Sequence, residues 1–502
     1  MLPVLSADAV RRAEQAHVAA HPGADLMGRA AGVLAEHITL MLGGAHEPLI
    51  LVVAGPGANA GDALHAVSLL PRTLRACVRV RLVRGRTHEP GLAACRAAGG
   101  MVIGAQQTQD LLPRADLVVD AVAGLGSRPL AGEAAELARA ARTHRRRVLS
   151  VDLPSGLRAD SAVQDGACFA AERTVALVAP KLCHVAAPAA LACGQVHLAR
   201  LGVDPGAGAV QQVQDTDLRA WYPFPDARSH KYTRGVLGLE TGSRRYPGAA
   251  VLGAAGALHA GVGMIRHPGE AGTAVLARFP SVVPAAGRVQ ASVCGSGWDL
   301  SDPGARLAHE RRLAQLLEDA LPLVVDAGAL DLLPGRPALP DGSLLTPHAG
   351  ELARLLGRDR ADVEADPLGS AREAAARTGA SVLLKGATQL VADPDGQVLL
   401  AVPGPAWTAQ AGSGDVLAGA CGALLAAGLP PARAGILAAS LQAITASRHP
   451  GPLPPERLAA AFPEVLADWE AQLIGAGERP PRAAERILLT DEAEEHGGGR
   501  RR

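Results

Sequence analysis

Residues 4–40 place apolar side chains such as Leu26, Ala30, Val33, Leu34 and Ile38 at spacings of three and four, which predicts helix. Beyond them the pattern changes to short, continuous apolar runs at 49–54, 78–83, 117–119, 148–151 and 174–178, separated by helix-like stretches. Several runs are bounded by Gly or Pro, as strands buried on both faces are. Strand alternating with helix over roughly 200 residues predicts a doubly wound, Rossmann-like α/β sheet with helices on both faces.

The rhythm breaks at 203–229, where Asp204, Pro205, Gly206 and later Pro223, Pro225 and Asp226 make the chain turn-rich. A second set of apolar runs follows at 235–239, 323–326, 344–346 and 381–385, giving a second α/β unit. A chain of 502 residues exceeds one ordinary core, so two domains are expected, at 1–212 and 225–475. The polar, charged stretch 476–502 is expected to be a disordered tail.

Formal net charge is zero and aromatic residues make up 2% of the chain, which argues against nucleic acid and for a small-molecule ligand. No apolar run has bilayer length, and the first residues lack a signal-peptide layout. Seven dispersed cysteines without a CxxC pair read as reduced thiols, so a cytoplasmic enzyme is expected, with no membrane partner and as a homo-oligomer. Among 49 basic Lys and Arg residues only Lys181, Lys231 and Lys385 are lysine, and Asn59 is the sole asparagine. In such a background each survivor is a candidate for chemistry that Arg, Ser or Ala cannot supply.

The sharpest motif is Gly412, Ser413, Gly414 and Asp415 at the start of an apolar helix. Amides at a Gly-rich helix N-terminus form an anion hole, and a carboxylate there can take a proton from a hydroxyl attacking a phosphate. Upstream strand ends carry Asp326, then Thr346-Pro347-His348, then Lys385-Gly386-Ala387-Thr388-Gln389. With His230-Lys231, Gly242-Ser243 and Tyr246-Pro247-Gly248-Ala249-Ala250, this set resembles the ADP/ATP-dependent NAD(P)H-hydrate dehydratases, a ribokinase-like fold, over nearly all of 225–470. The resemblance implies that a nucleotide phosphorylates the hydroxyl at C6 of hydrated NADH or NADPH and that phosphate then leaves. It further implies Asp415 as the activating base, and Lys385, Gly386, Ala387, Thr388, Gln389 and Gly414 around ADP or ATP with Mg2+. Ala249, Gly297 and His348 would face the hydrated cofactor, although a helix cap is an alternative role for His348. The family's usual Gly-Pro-Gly-Leu-Gly stands here as Gly295-Ser296-Gly297-Trp298-Asp299, and its Asn before the GSGD loop is replaced around Pro405.

In the first half, Gly55-Pro56-Gly57-Ala58-Asn59-Ala60-Gly61-Asp62 follows the strand at 49–54 as a candidate phosphate cradle. Two further strand ends carry Asp120 followed by Gly124-Leu125-Gly126-Ser127-Arg128-Pro129-Leu130, and Asp152 followed by Ser155; Lys181 ends a fourth. Asn59, Asp120 and Ser155 offer oxygen atoms suited to a hard cation. In order, these segments resemble the NAD(P)H-hydrate epimerases over about 1–212. The resemblance implies K+ at Asn59, Asp120 and Ser155. It also implies substrate contacts from 58–62, 124–130 and Asp152, with Asp152 moving protons between the R and S forms. Ala58, Ala60 and Ala63 replace an Asn and two Gly of the family loop. Alanine where φ must be positive is strained, so weakened epimerase activity or a purely binding role is expected.

Together the halves are similar to the fused bifunctional NAD(P)H-hydrate repair enzymes. The competing readings are a small-alcohol kinase of the same fold and a first half that only binds a cofactor or partner.

Overall fold

The computed structural model describes residues 1–336 and 338–478. Most of the tail expected at 476–502 therefore lies outside the described residues. The helical pattern of the first forty residues resolves into two helices, Ala7–Ala20 and Leu26–Leu42, broken at Pro22-Gly23. Each starts on a side-chain cap: Ser6 accepts from the Ala9 N–H at 3.2 Å, and Asp25 from the Gly28 N–H at 2.7 Å.

Among the described residues the first sheet has seven parallel strands, with Leu49–Ala54 beside both Cys77–Leu82 and Leu117–Ala121. From Leu117–Ala121 the sheet continues outward through Val148–Val151, Arg173–Leu177 and Gln195–Ala199. Separate apolar cores cover its faces, one holding Leu34, Ile38 and Leu64, the other Leu137, Ala141 and Phe169. Chain order reverses between Leu49–Ala54 and Leu117–Ala121, so the loops leaving their C-terminal ends diverge and open a crevice.

Among the described residues the second sheet has ten strands. Met264–Arg266, Val236–Glu240, Ala291–Cys294, Leu323–Val325, Leu344–Leu345 and Ser381–Leu384 run parallel, Leu390–Ala392 folds back antiparallel to them, and Val398–Leu400 turns again to run antiparallel to Leu390–Ala392. Helices cover both faces, with Trp469 and Phe462 fully buried in one core.

The two units are stitched together rather than merely joined. Val210–Gln212 pairs with Val398–Leu400, and Leu2–Val4 pairs with Val210–Gln212, so both ends of the first half belong to the second sheet. Leu182 and Val185 pack on the second unit's core, and the Thr388 hydroxyl accepts from the Ala187 N–H at 2.8 Å and donates to the Val185 carbonyl at 3.4 Å. Thr388→Val keeps the volume but removes both bonds. It is expected to lower stability by about 1 kcal/mol, read as a drop in denaturant midpoint without loss of secondary structure.

All seven cysteines are free thiols, six of them buried. Among the described residues no helix is long and apolar enough to cross a membrane.

Candidate active sites

At the crevice in the first sheet lies a cleft of about 830 Å3. The helix Ala58–Ser68 points its N-terminus into it, capped by Gly57 without any side-chain hydrogen bond, which leaves first-turn amides open to an anion. Ala58, Asn59, Asp62, the loop from Gly124 through Leu125, Gly126, Ser127, Arg128 and Pro129 to Leu130, and Asp152 all line the cleft. Ala60 and Gly61 do not; Ala60 is wholly buried in the core behind the helix. The strain expected at Ala58, Ala60 and Ala63 is absent. All three lie in regular helix, where alanine is the best helix former, and Ala63 is buried beside Ala60.

Asp152 is 3% exposed and adopts a left-handed backbone, φ 64°, uncommon for a residue with a Cβ and frequent at functional sites. Its carboxylate forms an ion pair with Lys181 and accepts from the Leu177 N–H at 3.0 Å. Lys181 is completely buried and also donates to the Leu177 carbonyl at 2.8 Å. The sequence assigns Lys181 no role; its signals there are the scarcity of lysine and its place after a strand. The first helix adds Glu14 and Arg11 to the wall, which no motif announced. Burial, then the charges of Asp152 and Glu14, push Asp62 up to about 7, and burial likewise raises Glu14.

Behind this wall the three oxygen-bearing residues gather at adjacent strand ends. Asp120 is fully buried and accepts from the Ser150 hydroxyl and the Ser155 N–H, both at 2.8 Å. Burial pushes it up to about 6 despite the bonds from Ser155 and Ser150, and it has no ion-pair partner among the described residues. The Asn59 amide donates to the Val151 carbonyl at 2.7 Å, which turns its oxygen toward Gly124, where a Cβ would lie 2.4 Å from it. The Ser155 hydroxyl bonds both the N–H and the carbonyl of Ala123.

In the second unit the helix Ser413–Ala426 begins at Gly412, φ 93°, again without a side-chain cap. A Cβ at Gly412 would meet Leu252 at 2.6 Å, so glycine is required by both backbone and space. Asp415 sits in the first turn, where burial and then the charge of Asp326 push it up to about 6, against the pull of Lys385. The Lys385 ammonium lies 2.7 Å from Asp326 and 3.8 Å from Glu351. Burial works against that charge, but Asp326, Glu351 and Asp415 together hold Lys385 above the usual lysine range. Lys385 reaches the helix start: a Cβ at Gly414 would lie in ordinary contact with its nitrogen, at 3.5 Å.

Asp326 is the hub, accepting also from Ser296 at 2.7 Å and Thr346 at 2.8 Å. The departure from the family's Gly-Pro-Gly thus supplies a donor, Ser296, while Gly297 keeps its left-handed turn, φ 70°, against Ala249. A Cβ at Gly297 would lie 2.5 Å from the Ala249 Cβ. His348 caps the helix Ala349–Leu356, its ring accepting from the Gly350 and Glu351 amides. Its backbone pairs with Lys385, which keeps it beside the site. Gly386 and Ala387 are exposed, whereas the Thr388 hydroxyl is engaged across the seam and the Gln389 side-chain oxygen is buried without a hydrogen-bond partner among the described residues.

Two family models match these two units in turn. Residues 237–451 match the NAD(P)H-hydrate dehydratase model, and residues 23–183 match the YjeF-related protein N-terminus. The bifunctional NAD(P)H-hydrate repair enzyme of Mycobacterium tuberculosis is 40% identical over 443 residues, covering 86% of this chain and 90% of the relative. The chain belongs to the bifunctional NAD(P)H-hydrate repair enzymes. The Escherichia coli repair enzyme is 31% identical over 402 residues, 76% of this chain and 77% of its own. The Bacillus subtilis ADP/ATP-dependent NAD(P)H-hydrate dehydratase, solved with ATP and Mg2+, covers 51% of this chain and 97% of its own, at 26% identity and a TM-score of 0.47. In this repair enzyme the first unit holds the Asp152–Lys181 pair and the second holds Asp415 at the open helix end.

Proposed function

We propose that the chain repairs hydrated NADH and NADPH in two steps, each on its own domain, with the division falling in the stretch 203–229. In the second domain the nucleotide, ADP or ATP, transfers phosphate to the C6 hydroxyl, and departure of phosphate regenerates the dihydropyridine. The observation that carries this reading is Asp415 in the first turn of a helix whose N-terminal amides are uncapped, with Lys385 beside it. The amides hold the phosphates, Lys385 balances their charge, and Asp415 takes the hydroxyl proton. Mg2+ would arrive on those phosphates, since it keeps several waters and needs few protein carboxylates. No cluster of three or more His, Cys, Asp or Glu among the described residues forms a dedicated metal cage.

In the first domain the cleft takes the hydrated cofactor, its diphosphate against the uncapped helix start at Ala58 and Asn59, its ring toward Asp152 and Lys181. A potassium ion suits the donor set behind it. Asp120 supplies one buried charge without a protein cation, and the Asn59 amide and Ser155 hydroxyl supply neutral oxygens. Bound there, K+ would fix the loop after Asp120 against the helix start. The test is R-to-S epimerisation, followed as dehydration of the R form by the same chain, in potassium and then in a large organic cation, with the spontaneous rate subtracted. Acceleration in potassium is expected, and Asn59→Ala is expected to abolish its potassium dependence. Equal rates in both cations would exclude the ion's role.

A further inference from the structure

Inverting C6 by departure and return of water needs two proton-handling groups. An acid must protonate the hydroxyl that leaves, and a base must take a proton from the water that adds. The epimerase reading so far supplies one, Asp152. The cleft holds a second carboxylate in a different setting. Asp152 is committed, ion-paired with Lys181 and bonded by the Leu177 N–H. Asp62 also lines the cleft and is only 5% exposed, yet it takes no hydrogen bond and no ion pair among the described residues.

Charged residues near Asp62 stand on three elements. Glu14 and Arg11 stand on the helix Ala7–Ala20, Asp152 follows Val148–Val151, and Lys181 follows Arg173–Leu177. Lys181 is paired with Asp152 and Arg11 with Asp8, and although Arg84 and Arg128 also line the cleft, the charges that act on Asp62 are those of Asp152 and Glu14, both of its own sign. His88, which caps the next helix, lies against Gly61. Burial and these like charges push it up to about 7, so that a large share of it carries its proton at neutral pH. Two carboxyl groups in one cleft with opposed environments divide into acid and base.

Resting on the epimerase reading, we infer that Asp62 is the general acid of the R/S interconversion, with Asp152 the base for the incoming water. The Asp62 proton passes to the C6 hydroxyl. The C6–O bond breaks with its electron pair leaving on water, and the N1 lone pair forms an N1–C6 double bond. A solvent water adds to the opposite face, the π pair returns to N1, and the proton released goes to Asp152. Exchange of both carboxyl protons with solvent restores the starting state.

The test uses the full chain carrying Asp62→Asn, assayed on purified R form with saturating nucleotide, with dehydration of purified S form as the measure of correct folding. The R-form kcat is expected to fall roughly 10²–10⁴-fold, or to the spontaneous rate, with KM little changed and S-form turnover retained. The wild-type rate should decline as pH rises through about 7, because the acid is lost on deprotonation, and that decline should be absent from the variant. In an Asp415→Asn chain, where S form accumulates, each epimerisation in 18O water should introduce one solvent oxygen at C6. Wild-type kcat in Asp62→Asn, a persisting alkaline decline, or retention of the original oxygen would each overturn the assignment. A wild-type chain that does not accelerate epimerisation at all would remove the epimerase reading itself, and the assignment with it.

Discussion

Asp415→Asn is expected to lower nucleotide-dependent dehydration of the S form by roughly 10²–10⁴-fold while leaving the fold intact. The change preserves size at the first turn of the helix Ser413–Ala426 and removes only the carboxylate proposed to accept the hydroxyl proton. Binding of nucleotide should survive, because Lys385 and the uncapped amides remain. The pH dependence has a definite sign. Asp415 is pushed up to about 6, and a base works only when ionised, so wild-type activity should rise as pH increases through about 6. Steady-state rates of the variant and the wild type between pH 5 and 8 check both points, and wild-type turnover in Asp415→Asn would contradict the assignment.

Lys181→Met should be the most destabilising single change in the first domain. Both members of the Lys181–Asp152 pair are buried, at 0% and 3% exposure, so removing the ammonium strands a carboxylate away from water. Breaking a buried pair in this way costs about 3–5 kcal/mol. Calorimetry should show the first domain melting well below the second, with epimerase activity lost. Adding Asp152→Asn should return part of the stability, because the stranded charge is gone. A double variant no more stable than Lys181→Met alone would mean that the pair's packing, rather than its charge, holds this wall.

Much of this was legible in the sequence because chemistry and fold coincide at strand ends. The runs at 49–54, 117–119 and 148–151 are strands, and the Gly-rich segments that follow the first two, like Asp152 and Ser155 after the third, meet in one cleft or just behind it. What pattern could not give was anything set by distant pairing. Leu2, Pro3 and Val4 look like the approach to a helix, yet they form a strand only because Val210–Gln212 offers an antiparallel partner. For the same reason the turn-rich stretch 203–229 hides a strand and the helix Asp215–Trp221, whose Asp215 accepts from the Trp469 indole at 2.8 Å. The alanines at 58, 60 and 63 were misread locally: a loop motif suggested left-handed backbone, whereas the helix begins earlier and takes all three. Asp326 became visible as a hub only once three strand ends brought Ser296, Thr346 and Lys385 around it.

The central claim, two repair activities on one chain, is tested most directly by the reduced-nicotinamide absorbance of an equimolar mixture of R- and S-hydrated NADH. The wild-type chain with Mg2+ and ADP, and separately ATP, should restore the full absorbance expected from both epimers, faster than spontaneous epimerisation permits, and should restore none without nucleotide. Recovery that stops at the S fraction and then creeps at the spontaneous rate would contradict the epimerase half. No nucleotide-dependent recovery would contradict the account as a whole.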